Sequence, residues 1–495
     1  REVLDELGNT VLYGHPDAQA ILTKIQVEND RLLILRNTVE GERPAGFVSY
    51  REIGNEDLFG VLKDMELANL VRGKSSREIL LITGIYARED GTGDSGVIRD
   101  APQQLLVEVL AKELEKNYSF ALFVAERGTA TKEVVYVLER QGFIRPHMAD
   151  ENDKRTIYMV DMHEPLMFLH NLDTTIKEPF ASNPAVLDAV EKNHKKLQIA
   201  MTKLYPGNLV LSLSSGIMYH RLVDRITALN DVPREPLVPR RLGKNMCVPF
   251  GKILRGKVVP NTVTKTLHTD KVYEPDLNSF TIEPFPYYSP LKSQIETIKS
   301  FDRPVILVDD LVHKADRLQV LVPQLREDGI PIRKVVVGVL SGYGRDLMQC
   351  LKVPVESIYS MPNLRQWFVE STLYPFIGGD TVRREEMKVA GLQPSINMIL
   401  PYATPRLSGC SREALVEFSA CCIENSRDLF QVLEAEYRKM YAKNLTLSRL
   451  SEAVILPLCP DKGSCMEYDE NLAASVYLEN DLETLWRMKE FLIKG

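Results

Sequence analysis

Arg303-Pro304-Val305-Ile306-Leu307-Val308-Asp309-Asp310-Leu311-Val312-His313-Lys314-Ala315-Asp316-Arg317 is the stretch on which the fold turns. Four apolar residues in a row read as a buried strand, and two carboxylates follow where that strand ends. In α/β sheets, ligands bind outside the carboxyl ends of the strands. Two adjacent carboxylates at that place are acceptors for a cis-diol, such as the 2- and 3-hydroxyls of a ribose. The next segment opens a helix carrying Leu318, Val320, Leu321 and Leu325, so its first N–H groups can face a phosphate. A lone strand ending Asp-Asp also arises from solvated or helix-capping carboxylates. The flanking sequence has to decide between the two.

Upstream, Asn208 to Leu213 reads as a strand, followed by the small-residue turn Ser214-Ser215-Gly216 and a helix from Ile217. Between this strand and the acidic one lies Arg255 to Lys271, an interval rich in Lys, Arg and Thr. It suits anionic oxygens, and it equally suits a β-hairpin of β-branched residues. Downstream, Gly329 ends a helix and Val335 to Leu340 reads as the next parallel strand, emptying into Ser341-Gly342-Tyr343-Gly344. Trp367-Phe368 and Tyr374-Pro375-Phe376 add aromatics that serve either a core or a stacked base. The pattern predicts that 305–308, 335–340 and 208–213 are parallel strands of one sheet, with Asp309 at its carboxyl edge.

These residues resemble the type I phosphoribosyltransferases, whose motif is four apolar residues, two acidic, two apolar, then a short phosphate loop. The likeness covers roughly 185–385. It implies phosphoribosyl transfer, with Asp309 and Asp310 as the catalytic, ribose-binding pair that also holds Mg2+, through water. His313, Lys314, Ala315, Asp316 and Arg317 would bind the ribose phosphate. Ser214, Ser215, Gly216, Arg255, Lys257 and Lys265 would hold pyrophosphate, and Trp367 and Phe368 the acceptor. The loop departs from the family's Gly-Gly and Thr. Lys314 and Arg317 would supply by charge what the lost backbone contacts supplied, and Asp316 must turn away from the anion or pair with Arg317.

Earlier in the chain, strand-like runs at Leu32–Leu35, Gly46–Tyr50, Ile79–Ala87 and Phe120–Ala125 alternate with helical patterns at Gln104–Lys116 and Thr131–Arg140. The last helix ends Leu138-Glu139-Arg140-Gln141-Gly142-Phe143. This order and ending resemble the GNAT acetyltransferases over about 30–162, which implies acetyl-CoA as a ligand. The turn that would seat its pyrophosphate is Val97-Ile98-Arg99-Asp100-Ala101-Pro102-Gln103. It lacks the family's glycines, Pro102 offers no N–H, and Asp100 repels phosphate. Gly91, Gly93 and Gly96 just upstream form either a displaced phosphate loop or a solvated one. Leu138 stands where many members carry a tyrosine.

The chain of 495 residues suits two to four domains. Polar joints at His163–Asn183 and Leu400–Cys410 divide it into 1–165, 166–400 and 401–495. The expected class is α/β: a GNAT-like domain, a phosphoribosyltransferase-type parallel-sheet domain, then a mainly helical C-terminal unit with Leu415, Phe418, Cys422 and Leu429 at helical spacing. A net charge of −7 makes no case for nucleic acid. No apolar run reaches the roughly 18 residues of a membrane span. Seven cysteines without a C-x-x-C pair read as reduced thiols in a cytoplasmic protein. Arg1 rather than Met opens the chain, which leaves room for a preceding domain. The expected protein is a homo-oligomer that binds a phosphorylated ribose or nucleotide and transfers the phosphoribosyl group. A sensor that binds without turnover and an acyl-CoA-dependent N-acyltransferase are the alternatives.

Overall fold

In the computed structural model the described residues are all but 1, 38–41, 76–77, 89–99, 127–130, 147–154, 240, 385–390, 406, 463–466 and 495. They form two units, one of Arg1–Leu166, Tyr205–Ser212 and Met361–Gln366, the other of Met167–Leu204, Leu213–Ser360 and Trp367–Gly495.

The first sheet follows from short apolar runs separated by helices. Its strands are β1 (Arg31–Asn37), β2 (Arg43–Ile53), β3 (Ile79–Ala87), β4 (Phe120–Glu126) and β5 (Arg155–His170), side by side in chain order, with β6 (Asn208–Ser214) also paired to β5. β1–β2, β2–β3 and β4–β5 pair antiparallel, while β3 and β4 run parallel where Leu80–Ile82 meets Ala121–Phe123. Helix Ala101–Glu113 packs on β2 and β3 with Leu105, Leu106, Val109 and Leu110 buried at three- and four-residue spacing. Helix Lys132–Arg140 starts on Thr131, whose hydroxyl accepts from the Val134 N–H at 3.2 Å. It ends in a Schellman arrangement: the Gly142 N–H donates to Glu139 O and the Phe143 N–H to Leu138 O. Gly142 has φ +90°, and a Cβ there would lie 2.1 Å from Asn208 O. That close approach seats β6 in this sheet, with the Val210 N–H donating to Gln141 O. The expectation that 208–213 joins the strand 305–308 is therefore corrected. An apolar strand buried on both faces does not declare its sheet; the glycine contact does.

The second unit is built on the acidic strand. β7 (Met246–Pro249), β8 (Val263–Thr264), β9 (Thr269–Tyr273), β10 (Phe280–Pro284), β11 (Val305–Val312), β12 (Ile332–Ser341) and β13 (Val355–Met361) precede β14 (Gln366–Val369), β15 (Asp380–Val382), β16 (Gln393–Ile396) and β17 (Leu458–Pro460). One sheet runs β13-β12-β11-β7-β8, with β11 parallel to both β12 and β7. Its strands are continuous apolar runs because helices cover them. Val305, Leu307, Val335, Val337, Met246 and Val248 share a core with Ile295 and Ile298 and with Leu318, Leu321, Val322 and Leu325. A further sheet runs β10-β9-β15-β16-β17, while β14 lies beside β5. The architecture is α/β, followed by a mainly helical C-terminal region with the helices Arg412–Tyr441 and Ala474–Lys494. That region also lends β17 to β16, so it is not helical throughout.

Candidate functional site

β11 does not stop at the acidic pair; it continues to Val312. Its neighbour β7 stops first, at Pro249 opposite Val308. Asp309 and Asp310 thus lie just past the carboxyl end of β7, where the sheet opens beside them. The chain leaving β7 turns tightly there. The Phe250 N–H still donates to Val308 O at 3.0 Å, and then Gly251 lets the backbone fall against the acids. A Cβ on Gly251 would stand 2.5 Å from Asp310 Oδ1 and 2.7 Å from Asp309 Oδ1.

The two carboxylates have different tasks. Asp310 is buried, and its Oδ2 and Oδ1 accept the N–H groups of Lys252 (2.6 Å) and Ile253 (3.0 Å). It clamps the loop, one backbone N–H on each oxygen. Asp309 accepts the Asp310 N–H on Oδ1 at 2.8 Å, the oxygen that faces Arg317 Nη1 at 3.8 Å. Its Oδ2 takes no part in these contacts. Burial raises the Asp309 carboxyl to about 7, with Arg317 pulling down and Asp310 pushing up. Arg317 also donates to Phe250 O at 3.2 Å, tying the phosphate-loop helix to the β7 loop.

Several charges lie within electrostatic reach of this point. Burial holds the Lys252 ammonium below its ordinary value; Asp380 opposes that, and Arg255 and Arg317 reinforce it. Arg255 is lowered by burial and then by Arg317, and its guanidinium lies 5.1 Å from the Phe285 ring. The Asp380 carboxyl is raised by burial against Lys252 and Lys271. Asp270 accepts from Thr381 Oγ1 at 2.5 Å. His268, lowered by burial and then by Arg255 and Lys265, stacks on Tyr288 with ring centres 3.7 Å apart.

The expected phosphate loop is only partly as foreseen. Ala315 is left-handed (φ 54°) and opens the helix Asp316–Glu327, whose first-turn N–H groups have no carbonyls within the helix to serve. Asp316 pairs with Lys271 at 3.1 Å and not with Arg317. His313 Nδ1 pairs with Ser341 Oγ at 2.8 Å, and that hydroxyl also caps the next helix by accepting the Gly344 N–H. Lys314 is exposed. Left-handed backbone costs a non-glycine residue about 1 kcal/mol. Ala315→Gly is therefore expected to stabilise the second unit by about 0.5–1 kcal/mol, read as a higher urea midpoint.

The other sequence candidates scatter. Ser214 ends β6, and Ser215-Gly216 begin the helix Ser215–Leu229. That helix, rather than the strand, reaches the acidic sheet: a Cβ on Gly338 of β12 would meet Met218 Sδ at 2.1 Å and Asp310 O at 2.7 Å. Lys257 lies over the Tyr219 ring at 4.3 Å, and Lys265 is exposed. Trp367 and Phe368 sit on β14 beside β5, with Phe368 buried 5.9 Å from the Phe418 ring. Phe368 belongs to the core. The aromatic pair close to Arg255 is His268–Tyr288 instead. Sequence reasoning missed the Gly251-Lys252-Ile253 turn, whose only signal is a glycine and a lysine after a four-residue apolar strand.

In the first unit, Asp100 is left-handed (φ 61°) at the start of helix Ala101–Glu113, and its Oδ2 accepts from buried Arg140 at 3.0 Å. An internal ion pair therefore closes the start of this helix. Leu138 is fully buried. Gly91, Gly93, Gly96 and Val97–Arg99 lie outside the described residues.

No family model matches the chain, and no curated protein does. Among solved structures, the NatC complex bound to Gag peptide and CoA is similar over 32% of this chain and 89% of its own, at 9% identity and a TM-score of 0.22. A purine phosphoribosyltransferase from Pyrococcus horikoshii Ot3 is similar over 31% of this chain and 87% of its own, at 11% identity and a TM-score of 0.21. The PaiA N-acetyltransferase from Thermoplasma acidophilum in complex with coenzyme A covers 32% and 93%, at 13% identity and a TM-score of 0.21. Likenesses at these scores carry no functional argument, which rests on the residues.

Proposed function

We propose that the second unit binds a phosphorylated ribose, phosphoribosyl pyrophosphate or a nucleotide, at Asp309 and transfers the phosphoribosyl group. One observation carries this reading. The buried Asp309 carboxyl and its partner Arg317 lie past the carboxyl end of the parallel strand β7, against a loop that brings Lys252 and Arg255 within electrostatic reach. In this reading Asp309 accepts a ribose hydroxyl, while Arg317 and the first-turn N–H groups after Ala315 hold the 5′-phosphate. Lys252 and Arg255 take the pyrophosphate, whose charge must be neutralised as it leaves. The donor set fits Mg2+ only sparingly: hard oxygens are present, but both oxygens of Asp310 already accept backbone N–H groups. Asp309 is the residue that would hold the ion, through water, and the ion would supply further charge neutralisation. No protein nucleophile is required, because such a displacement rests on positioning and electrostatics.

Calorimetric titration of the full chain with phosphoribosyl pyrophosphate and Mg2+ tests the site. Asp309→Asn is expected to weaken binding about 10-fold, roughly 1.4 kcal/mol. Lys252→Ala is expected to weaken it at least as much, and more steeply at low salt, where screening is least. Parent-like binding by both variants would place the site elsewhere. Pyrophosphate release in the presence of acceptor bases separates transfer from a sensor that only binds.

A further inference from the structure

We propose that His170, His194 and Glu370 of the second unit bind a divalent first-row transition-metal ion, with zinc the preferred one. The three residues come from distant parts of the sequence: the end of β5, the helix Pro184–Leu204 and the 3-10 turn Glu370–Leu373. One ligand atom from each lies within 4.8 Å of the other two. His194 Nδ1 is 2.5 Å from Glu370 Oε1, and His170 Nδ1 is 3.9 Å from Oε2, so the imidazoles address different oxygens of one carboxylate. Their rings stand 4.4 Å apart at 77°. Zinc–ligand bonds of about 2.0–2.2 Å need donors roughly 3–4 Å apart, which a small imidazole rotation supplies.

Burial and donor type both favour a cation. The Glu370 side chain is 0% exposed, and its Oε2 accepts no hydrogen bond, a costly position for a carboxylate. The imidazole side chains are 14% and 19% exposed, which leaves one side for the ion to enter and for water to complete the shell. Two imidazoles and one carboxylate suit zinc or iron(II) and discriminate against magnesium and calcium, which prefer oxygen throughout.

The backbone around the three residues is also pinned. Asn171, next to His170, donates from Nδ2 to Ser371 Oγ at 2.9 Å and accepts the Ser371 N–H on Oδ1 at 2.9 Å, beside Glu370. Asn193, next to His194, donates to Asn425 O at 2.8 Å, and Asn425 donates back to Asn193 O at 3.0 Å. All four side chains are buried. Each of the three residues thus has a neighbour held by paired polar contacts, the support that keeps metal-ligating side chains in place.

The test is a zinc titration of the full chain after chelator stripping and dialysis, in competition with a chromophoric chelator and millimolar Mg2+. The expected result is one equivalent bound with Kd below about 1 μM, a visible d–d band with Co2+ in its place, and a higher melting temperature with zinc. His194→Ala and Glu370→Gln are each expected to weaken binding at least 100-fold and to remove the zinc-dependent melting shift. The glutamine keeps the shape of the buried acid, so it guards against misfolding in the alanine variant. Absence of stoichiometric binding by the parent overturns the proposal, as does parent-like affinity in a folded variant. Neither outcome bears on the phosphoribosyl site, whose residues are separate.

Discussion

Gly251→Ala will unfold the acidic site more effectively than removal of either acid. Its methyl would sit 2.5 Å from Asp310 Oδ1, 2.7 Å from Asp309 Oδ1 and 2.8 Å from Asp310 Cγ. None of these atoms can retreat, because Asp310 is held by the Lys252 and Ile253 N–H groups and Asp309 by the Asp310 N–H. Relief requires the loop to lift, which breaks two charge-assisted bonds of about 1.5–3 kcal/mol each. The expected loss is about 3–5 kcal/mol. Gly256→Ala serves as the local control: φ is +71° there and nothing lies within 4 Å, so the cost is only about 1 kcal/mol of left-handed strain. Both tryptophans, Trp367 and Trp486, belong to the second unit. Urea unfolding followed by their fluorescence therefore reads this unit. A Gly251→Ala variant within 0.5 kcal/mol of Gly256→Ala, a threshold set by ordinary additivity errors of about that size, would show that the clamp is not as tight as described.

Asp309→Asn is expected to stabilise the second unit at pH 8 and to do little at pH 4.5. In the folded protein burial raises this carboxyl from 3.8 to about 7, whereas in the unfolded chain it ionises near its ordinary value. Between those pH values the native state binds the extra proton, so stability falls as pH rises, and the full cost stands above pH 7. At about 1.4 kcal/mol per pH unit the cost is on the order of 4 kcal/mol. Asparagine keeps the shape and has no charge to bury. Urea midpoints of parent and variant at pH 4.5, 6 and 8 check this, and a difference that stays constant with pH refutes it. A carboxylate kept at such a cost marks a working site better than a packing one.

The strand is legible in the sequence over Val305–Val308, because its apolar run has no helical period and its partner Val335–Leu340 repeats the pattern; its continuation through the acids to Val312 is not. The asymmetry of the acidic pair is not legible. It depends on which carboxylate meets Lys252 and Ile253, 58 and 57 residues away from Asp310. The turn that does this follows a strand of four residues, too short for periodicity to stand out. The strand Asn208–Ser214 is recognised correctly as a strand, but its sheet is decided by Gly142 and Asn208, a contact no local pattern encodes. Ala315 and Asp316 are found at the loop as read, yet the partner of Asp316 is Lys271, which a chain-local view has no means of choosing. The cluster of His170, His194 and Glu370 escapes for the same reason: its members are 24 and 176 residues apart, so no motif spacing joins them.

The reciprocal amide contact between Asn193 and Asn425 has a consequence for how two long helices find their alignment. Helices Pro184–Leu204 and Arg412–Tyr441 pack through apolar stripes, and stripes of that kind tolerate a slide of one turn with little change in the area they cover. The two amides do not tolerate it. A slide of about 5.4 Å leaves both of them buried without acceptors, at about 1–3 kcal/mol each. The pair thus acts as a detent: it adds little to the depth of the correct alignment and raises every neighbouring one, so the helices lock at a single notch.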